Sequence, residues 1–172
     1  MNKFELYHPI FTDHFLLDWL TMSKVKDVFE LRNDAVIAEQ SGRQIDQSIE
    51  ETTKYVNNMM RLVMNNEALI WGISTKENRD FLGSFCIWNF DRDEKSVSIR
   101  FEILRDQQRK GVMQEVLTRM TIFCFEELGL RKIKATLLKD NVATSSLLDR
   151  AGFSVDSART TDETITYELT QN

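Results

Sequence analysis

Along 97–103 the chain reads Val-Ser-Ile-Arg-Phe-Glu-Ile, apolar and polar in strict alternation. A few residues later the period changes. From Val112 apolar residues recur every four positions, at Val116, Met120, Cys124 and Leu128, while Met113, Leu117, Ile122, Phe123 and Phe125 widen the stripe. The first pattern predicts a half-buried strand over 96–104; the second predicts an amphipathic helix over 111–128, stopped by Gly129.

The same reading places the other elements. The first dozen residues carry Phe4, Leu6 and Ile10 and read as an extended arm, 1–13, that packs somewhere. Residues 15–20 read as a strand, and Ser23 as the cap of a helix through Val25, Val28, Phe29 and Leu31. Ser48 and Glu51 make a capping box for a helix bearing Ile49, Val56, Met59, Met60 and Val63, with Asn65-Asn66 as its stop. Segments 68–74, 81–90 and 96–104, separated by polar turns, predict an antiparallel meander. A strand over 132–138, a helix over 142–150 ended by Gly152, and a hairpin of 153–159 with 163–169 complete the chain. No internal repeat is visible. The sum is one mixed α+β domain over 1–172, with a mostly antiparallel sheet of about seven strands and about four helices.

Composition narrows the function. With 172 residues, 42% hydrophobic and 28% charged, the chain has the profile of a soluble globular domain, and its single proline and six glycines leave no linker. A net charge of −5 argues against a duplex-binding protein, which carries a basic footprint, and so no nucleic-acid partner is expected. No apolar run has membrane-span length and no signal-peptide core opens the chain, so no membrane partner and a cytoplasmic location are expected. Cys86 and Cys124 fall at apolar positions and read as reduced packing residues. His8 and His14 lack metal-ligand spacing, so no metal is expected. Trp71 and Trp88 read as core, and Met59, Met60 and Met64 as helix packing.

The chemistry concentrates in the turn between the alternating strand and the long helix, where Gly111 sits among polar and cationic residues. A helix N-terminus offers unpaired N–H groups and partial positive charge, which suit a phosphate or pyrophosphate, and glycine lets such a ligand come close. By itself this does not distinguish an anion site from a plain connection.

Three stretches in order make the distinction. Gln108-Arg109-Lys110-Gly111-Val112-Met113 resembles the pyrophosphate loop of the GNAT superfamily of acetyl-CoA-dependent N-acetyltransferases, Gln/Arg-x-x-Gly-x-Gly/Ala, with Met in the last place. Phe125 to Ile133 is similar to the family's helix-to-strand join. Residues 141–153 keep its Asn and Gly-Phe spacing at Asn141 and Gly152-Phe153. The likeness spans roughly 14–169 and looks most like the branch that modifies the N-termini of ribosomal proteins.

That resemblance implies a GNAT-like fold whose fourth and fifth strands splay apart, with acetyl-CoA as co-substrate and no metal. It implies that Ile103 and Leu104 offer backbone partners to the pantetheine arm. Residues Gln108, Arg109, Lys110, Gly111, Val112 and Met113 would hold the pyrophosphate, with Asn141 on the cofactor arm and Arg150 near the nucleotide phosphates. The acceptor would be a primary amine, on a protein N-terminus or a small molecule such as a polyamine. Where many relatives have a strand glutamate this chain has Ser98, leaving Glu102 as the candidate base or else a salt-bridged strand carboxylate. The usual helix tyrosine is replaced by Leu148; the serine of the ribosomal-protein branch is matched by Thr144, the expected thiolate stabiliser, with Ser145 in reserve. Trp19, Arg32 and Glu39 lie where relatives shape acceptor choice. A homodimer is one oligomeric form the resemblance allows. The alternative function is a catalytically silent acyl-CoA-binding sensor or scaffold.

Overall fold

The computed structural model describes residues 2–172. Its strands are β1 (Ile10–Phe11), β2 (Phe15–Asp18), β3 (Leu69–Thr75), β4 (Phe81–Asp91), β5 (Ser96–Ile103), β6 (Lys132–Leu138), β7 (Ser154–Val155) and β8 (Thr164–Thr170). They form one sheet in the order β1-β2-β3-β4-β5-β6-β8-β7. Every pairing is antiparallel except β5 with β6. The helices are α1 (Val25–Asn33), α2 (Ala35–Ser41), α3 (Ile49–Met64), α4 (Val112–Ile122) and α5 (Val142–Arg150).

The meander over β3, β4 and β5 matches the alternating pattern. Parallel pairing of β5 with β6 requires a crossover, and α4 provides it. That pairing is brief: Ser96–Ser98 stand beside Lys132–Lys134, and the register stops there. The rest of β5 runs on without β6 beside it. These are the strands expected to splay; β1, at the far edge, advances their numbers by one.

Side-chain alternation assigns the two faces. Phe101 stacks on Phe85 (5.8 Å between centroids), Phe85 reaches Trp71, and Trp71 meets Phe123, just past α4, edge-on at 5.6 Å. Odd-numbered β5 residues thus face α4. Ser145 of α5 bonds the hydroxyl of Tyr167, which lies opposite Ala135 of β6, so α5 shares that face. Glu102, pointing the other way, meets the chain just after α2.

Several boundaries differ from the sequence reading. The N-terminal arm is partly structured: Phe4–Tyr7 form a 3-10 turn that buries Phe4, and β1 adds to the sheet edge. The strand predicted over 15–20 ends at Asp18 and gives way to a 3-10 turn at Leu20–Met22. Lys24, not Ser23, precedes α1. Ser48 caps α3 through the Glu51 N–H, and the Glu51 carboxylate takes the Gln47 N–H, one residue beyond a reciprocal capping box. The long helix turns into a π-helical stretch at Phe123–Glu127, and Gly129 follows at φ 67°. The predicted strand 153–159 shrinks to β7 because Asp156 caps a 3-10 turn at Ser157–Arg159.

Helix α2 was not expected. Asp34 caps it by accepting the N–H groups of Val36 and Ile37 at 2.9 and 3.1 Å, and Gly42 ends it at φ 68°. Both signals stand in the sequence, but they enclose only two turns.

Candidate active site

A cavity of about 500 Å³ opens where β5 and β6 part. Phe101 and Glu102, neighbours that face opposite sides of the sheet, both border it. So do Ile37, Gln40 and Ser41 of α2, and Val142, Ala143, Ser146, Leu147 and Arg150 of α5. The cleft therefore passes through the sheet, from the α4–α5 face to the α2 face.

Its mouth is the turn into α4. Arg109 (φ 63°) and Gly111 (φ 81°) are both left-handed, and this pair of bends turns successive amides toward the opening. Gly111 precedes the helix with no side-chain cap. Among the described residues, the N–H groups of Lys110, Gly111, Val112, Met113 and Gln114 have no partner in the protein. A Cβ on Gly111 would meet nothing within 4 Å. The side chains of Val112 and Met113 are buried, so a Met in the family's small-residue place leaves the amides accessible. Arg109 and Arg150 add positive charge at the cleft, while Lys110 is exposed away from it. A pyrophosphate fits this cradle by charge, by donors and by space.

Three expected cofactor contacts are placed differently. Leu104 gives its N–H to the Leu82 carbonyl at 2.8 Å, so that amide is spent within the sheet. Antiparallel alternation then turns the amides of Phe101 and Ile103 toward the gap. The Ile103 carbonyl accepts from Gln108 Nε2 at 3.1 Å, which makes Gln108 a brace for the strand end. Asn141 is also engaged: its Oδ1 accepts the Thr144 N–H at 3.3 Å and its Nδ2 donates to the Gln40 carbonyl at 3.4 Å.

Glu102 is gripped by Arg43, with Nε to Oε2 at 2.7 Å and Nη2 to Oε1 at 2.9 Å. Their side chains are only 15% and 18% exposed. Burial works against the Arg43 charge, yet the hydrogen bonds and charge of Glu102 outweigh it and raise the guanidinium pKa. Glu102 is the one carboxylate bordering the cleft among the described residues. Nothing in the sequence singled out Arg43, whose partner lies 59 positions away.

Of the helix hydroxyls, Ser145 is held by Tyr167. Ser146 is exposed beside the cleft, and half-buried Thr144 lies off its wall with no hydrogen bond from its hydroxyl. Leu148, in the family's tyrosine place, is buried core. Trp71 is buried too, whereas Trp88 is 41% exposed under Arg100. Arg32 binds Asp46 at 2.8 Å and covers the Tyr55 ring. None of the helices is long and apolar enough to cross a membrane among the described residues.

The family model for the GNAT acetyltransferase domain matches residues 14–154. The chain belongs to the GNAT acetyltransferase family. An N-acetyltransferase of Bacillus subtilis, YoaA, itself uncharacterised, is 24% identical over 142 residues, which are 83% of this chain and 80% of that one. A structure from Vibrio cholerae assigned as a ribosomal-protein-serine acetyltransferase superposes with a TM-score of 0.84 at 20% identity, covering 99% of this chain and 100% of that one. RimL, a ribosomal-protein alpha-N-acetyltransferase solved with coenzyme A, gives 0.80 at 18% identity, covering 95% and 98%. Like other GNAT members, the protein is an N-acetyltransferase by type; the acceptor is a separate question.

Proposed function

We propose that this GNAT protein transfers the acetyl group of acetyl-CoA to a primary amine in a ternary complex, and that the amine is the N-terminus of a protein. The observation that carries the first part is the run of unpartnered amides from Lys110 to Gln114, at the mouth of a cleft that crosses the sheet. The pyrophosphate lies on those amides with Arg109 and Arg150 beside it, and the thioester arm runs along β5, where Phe101 and Ile103 turn their N–H groups into the gap.

The neutral amine nitrogen attacks the acetyl carbonyl carbon. As the C–N bond forms, the carbonyl electron pair moves to oxygen; its return breaks the C–S bond. The nitrogen gives up a proton to water, and the departing sulfur ends as the thiol. Holding both partners aligned supplies much of the acceleration, and an N–H of the parted strand meets the charge building on oxygen. Thr144 carries the hydroxyl proposed to stabilise the sulfur.

Two features favour an α-amine. With a reference pKa near ~8 it is about a tenth neutral at pH 7, against far less for lysine at ~10.4, so it needs no strong base. Among the described residues Glu102 is the cleft's one carboxylate, and Arg43 already balances its charge, so the cleft can orient a single amine but offers no second anion for the further charges of a polyamine. The structural likeness to proteins described as ribosomal-protein acetyltransferases points the same way.

The test is calorimetry with acetyl-CoA, followed by thiol release across peptide N-termini, polyamines and other small amines. Binding with turnover of peptides supports the whole reading. Preference for polyamines overturns the acceptor, binding without turnover on any amine favours the sensor, and failure to bind acetyl-CoA removes the reading entirely.

A further inference from the structure

We infer that Arg43 is a positioning residue, which holds Glu102 as the carboxylate that binds and orients the acceptor amine. The inference rests on the acetyltransferase reading above and goes beyond it, to the α2 side of the cleft.

The turn after α2 bridges the two strands that part. Ser41 borders the cleft. Gly42 lies against Leu138 at the end of β6, where a Cβ would stand 3.9 Å from that side chain. Arg43 grips Glu102 near the end of β5, and the Gln40 carbonyl takes the Asn141 amide from the start of α5. This turn therefore closes the gap opposite the cofactor mouth, and Glu102 is the charged group it presents to the cleft.

Arg43 is itself locked in place. Beyond the two bonds to Glu102, its Nη1 donates to the carbonyls of Arg32 and Gln44 at 3.0 and 2.9 Å, and its Nη2 to that of Leu31 at 3.3 Å. A planar guanidinium with this many fixed bonds sets both the position and the tilt of the carboxylate plane. An ionised carboxylate has about four lone-pair sites. The fork uses two and leaves the others for an N–H donor in the cleft. Lysine, a point charge on a flexible stem, would keep the attraction and lose the orientation.

The charged and titratable groups around Glu102 come from every neighbouring element. Arg43 leaves the α2 turn, with Arg32 and Asp46 beyond it; Arg100 shares the strand face; Tyr55 projects from α3; and Arg109 and Arg150 border the same cleft. Arg43 alone of these cations contacts the carboxylate within salt-bridge distance among the described residues.

The experiment uses the full chain and two acceptor probes, a hexapeptide with a free N-terminal serine and phenethylamine. Arg43→Ala, Arg43→Lys, Glu102→Gln and the double variant of Arg43→Ala with Glu102→Gln are compared with wild type for acetyl-CoA affinity and for kcat and acceptor KM. The expected result for Arg43→Ala is a rise in acceptor KM of about tenfold or more, the scale of a lost charge-assisted hydrogen bond, with acetyl-CoA affinity unchanged. Arg43→Lys recovers part of that loss. Glu102→Gln raises acceptor KM likewise, and in both variants the change lies in KM and not in kcat. A purely structural role would lower kcat and acetyl-CoA affinity together with acceptor affinity, and lysine would not restore the difference. In the double variant the loss equals that of Glu102→Gln alone.

Additive losses, a loss in kcat with acceptor KM unchanged, or a change confined to acetyl-CoA affinity would overturn the assignment of Arg43 and leave the acetyltransferase reading intact. A wild-type protein that acetylates neither probe removes the acceptor reading and this inference with it.

Discussion

A Cβ on Gly83 would stand 2.2 Å from the carbonyl oxygen of Glu102 and 2.9 Å from the Cα of Ile103. Both obstacles are backbone, which cannot swing aside as a flexible side chain does. The register places Gly83 opposite Ile103, on the stretch of β5 beyond Ser98 that no longer pairs with β6. Gly83 thus lets two strands approach closely at the point where the acetyl-bearing arm is proposed to lie. Gly83→Ala forces β5 outward. It is expected to cost about 1–3 kcal/mol, as overpacked sites do, and to weaken acetyl-CoA binding by displacing the Phe101 and Ile103 amides. Urea denaturation and calorimetry read the two effects; a variant as stable and as tight-binding as wild type would show that the close approach is dispensable.

Gly111 poses the opposite case, because the space around it is open and only its positive φ asks for glycine. Gly111→Ala should cost about 1 kcal/mol of backbone strain and keep measurable acetyl-CoA affinity. Gly111→Glu adds a carboxylate beside the amides proposed to hold a diphosphate, and is expected to abolish binding while the far-ultraviolet circular dichroism stays that of the wild type. Retained affinity in the glutamate variant would discredit this turn as the pyrophosphate site.

The elements that sequence reading located best are those with long, regular patterns. The β5 alternation and the α4 stripe are local facts, and so is the strand–turn–helix that sets Gly111 at the mouth. The places where reading and structure part are tertiary. The resemblance makes Leu104 a backbone partner for the cofactor arm, but β4 supplies Leu82 to take its amide. Asn141 matched a ligand-binding position, yet the fold brings Gln40 to within hydrogen-bond distance of it, across 101 positions of chain. Arg43 had no pattern at all, since it follows a two-turn helix and its role exists only once β5 lies beside it. Asp34 and Gly42 do announce that helix, but seven residues hold too few repeats for periodicity to speak.

Glu115, in the first turn of α4, ties that helix to the β1–β2 turn. Its carboxylate accepts from the Thr12 hydroxyl at 2.6 Å, the His14 N–H at 3.0 Å and the His14 ring at 2.7 Å. Burial alone would raise its pKa; the bonds from Thr12 and His14 prevail and hold it below the ordinary carboxylate value. A pKa lower in the folded than in the unfolded chain stabilises above the unfolded value, and that stability is lost as pH falls through the folded value. Glu115→Gln should therefore be less stable than wild type by on the order of 1 kcal/mol at pH 7. The gap should close as pH drops below about 4. Denaturation midpoints measured from pH 7 to pH 3 test this; a constant gap would mean that the loss is packing and not charge.

Three consecutive hydroxyls at the start of α5 offer themselves to the departing sulfur, and their surroundings separate them. Ser145 is bound to the hydroxyl of Tyr167, and so is occupied. Ser146 shares a helix face with Ala143, Leu147 and Arg150, the stripe of α5 that borders the cleft on the side proposed for the nucleotide phosphates. Thr144 is half-buried and lies off the cleft wall, but its N–H is held by Asn141, which borders the cleft, and its hydroxyl has no partner among the described residues. A hydroxyl that donates to a thiolate contributes on the scale of a hydrogen bond to a charged group, about 1.5–3 kcal/mol, so Thr144→Ala should lower kcat by about tenfold to a hundredfold with acetyl-CoA affinity unchanged. Thr144→Ser should restore most of it, because serine keeps the oxygen. Ser146→Ala should leave kcat near wild type. Steady-state kinetics on the three variants would dismiss Thr144 if its alanine form turns over normally, and would hand its role to Ser146 if that variant shows the loss instead.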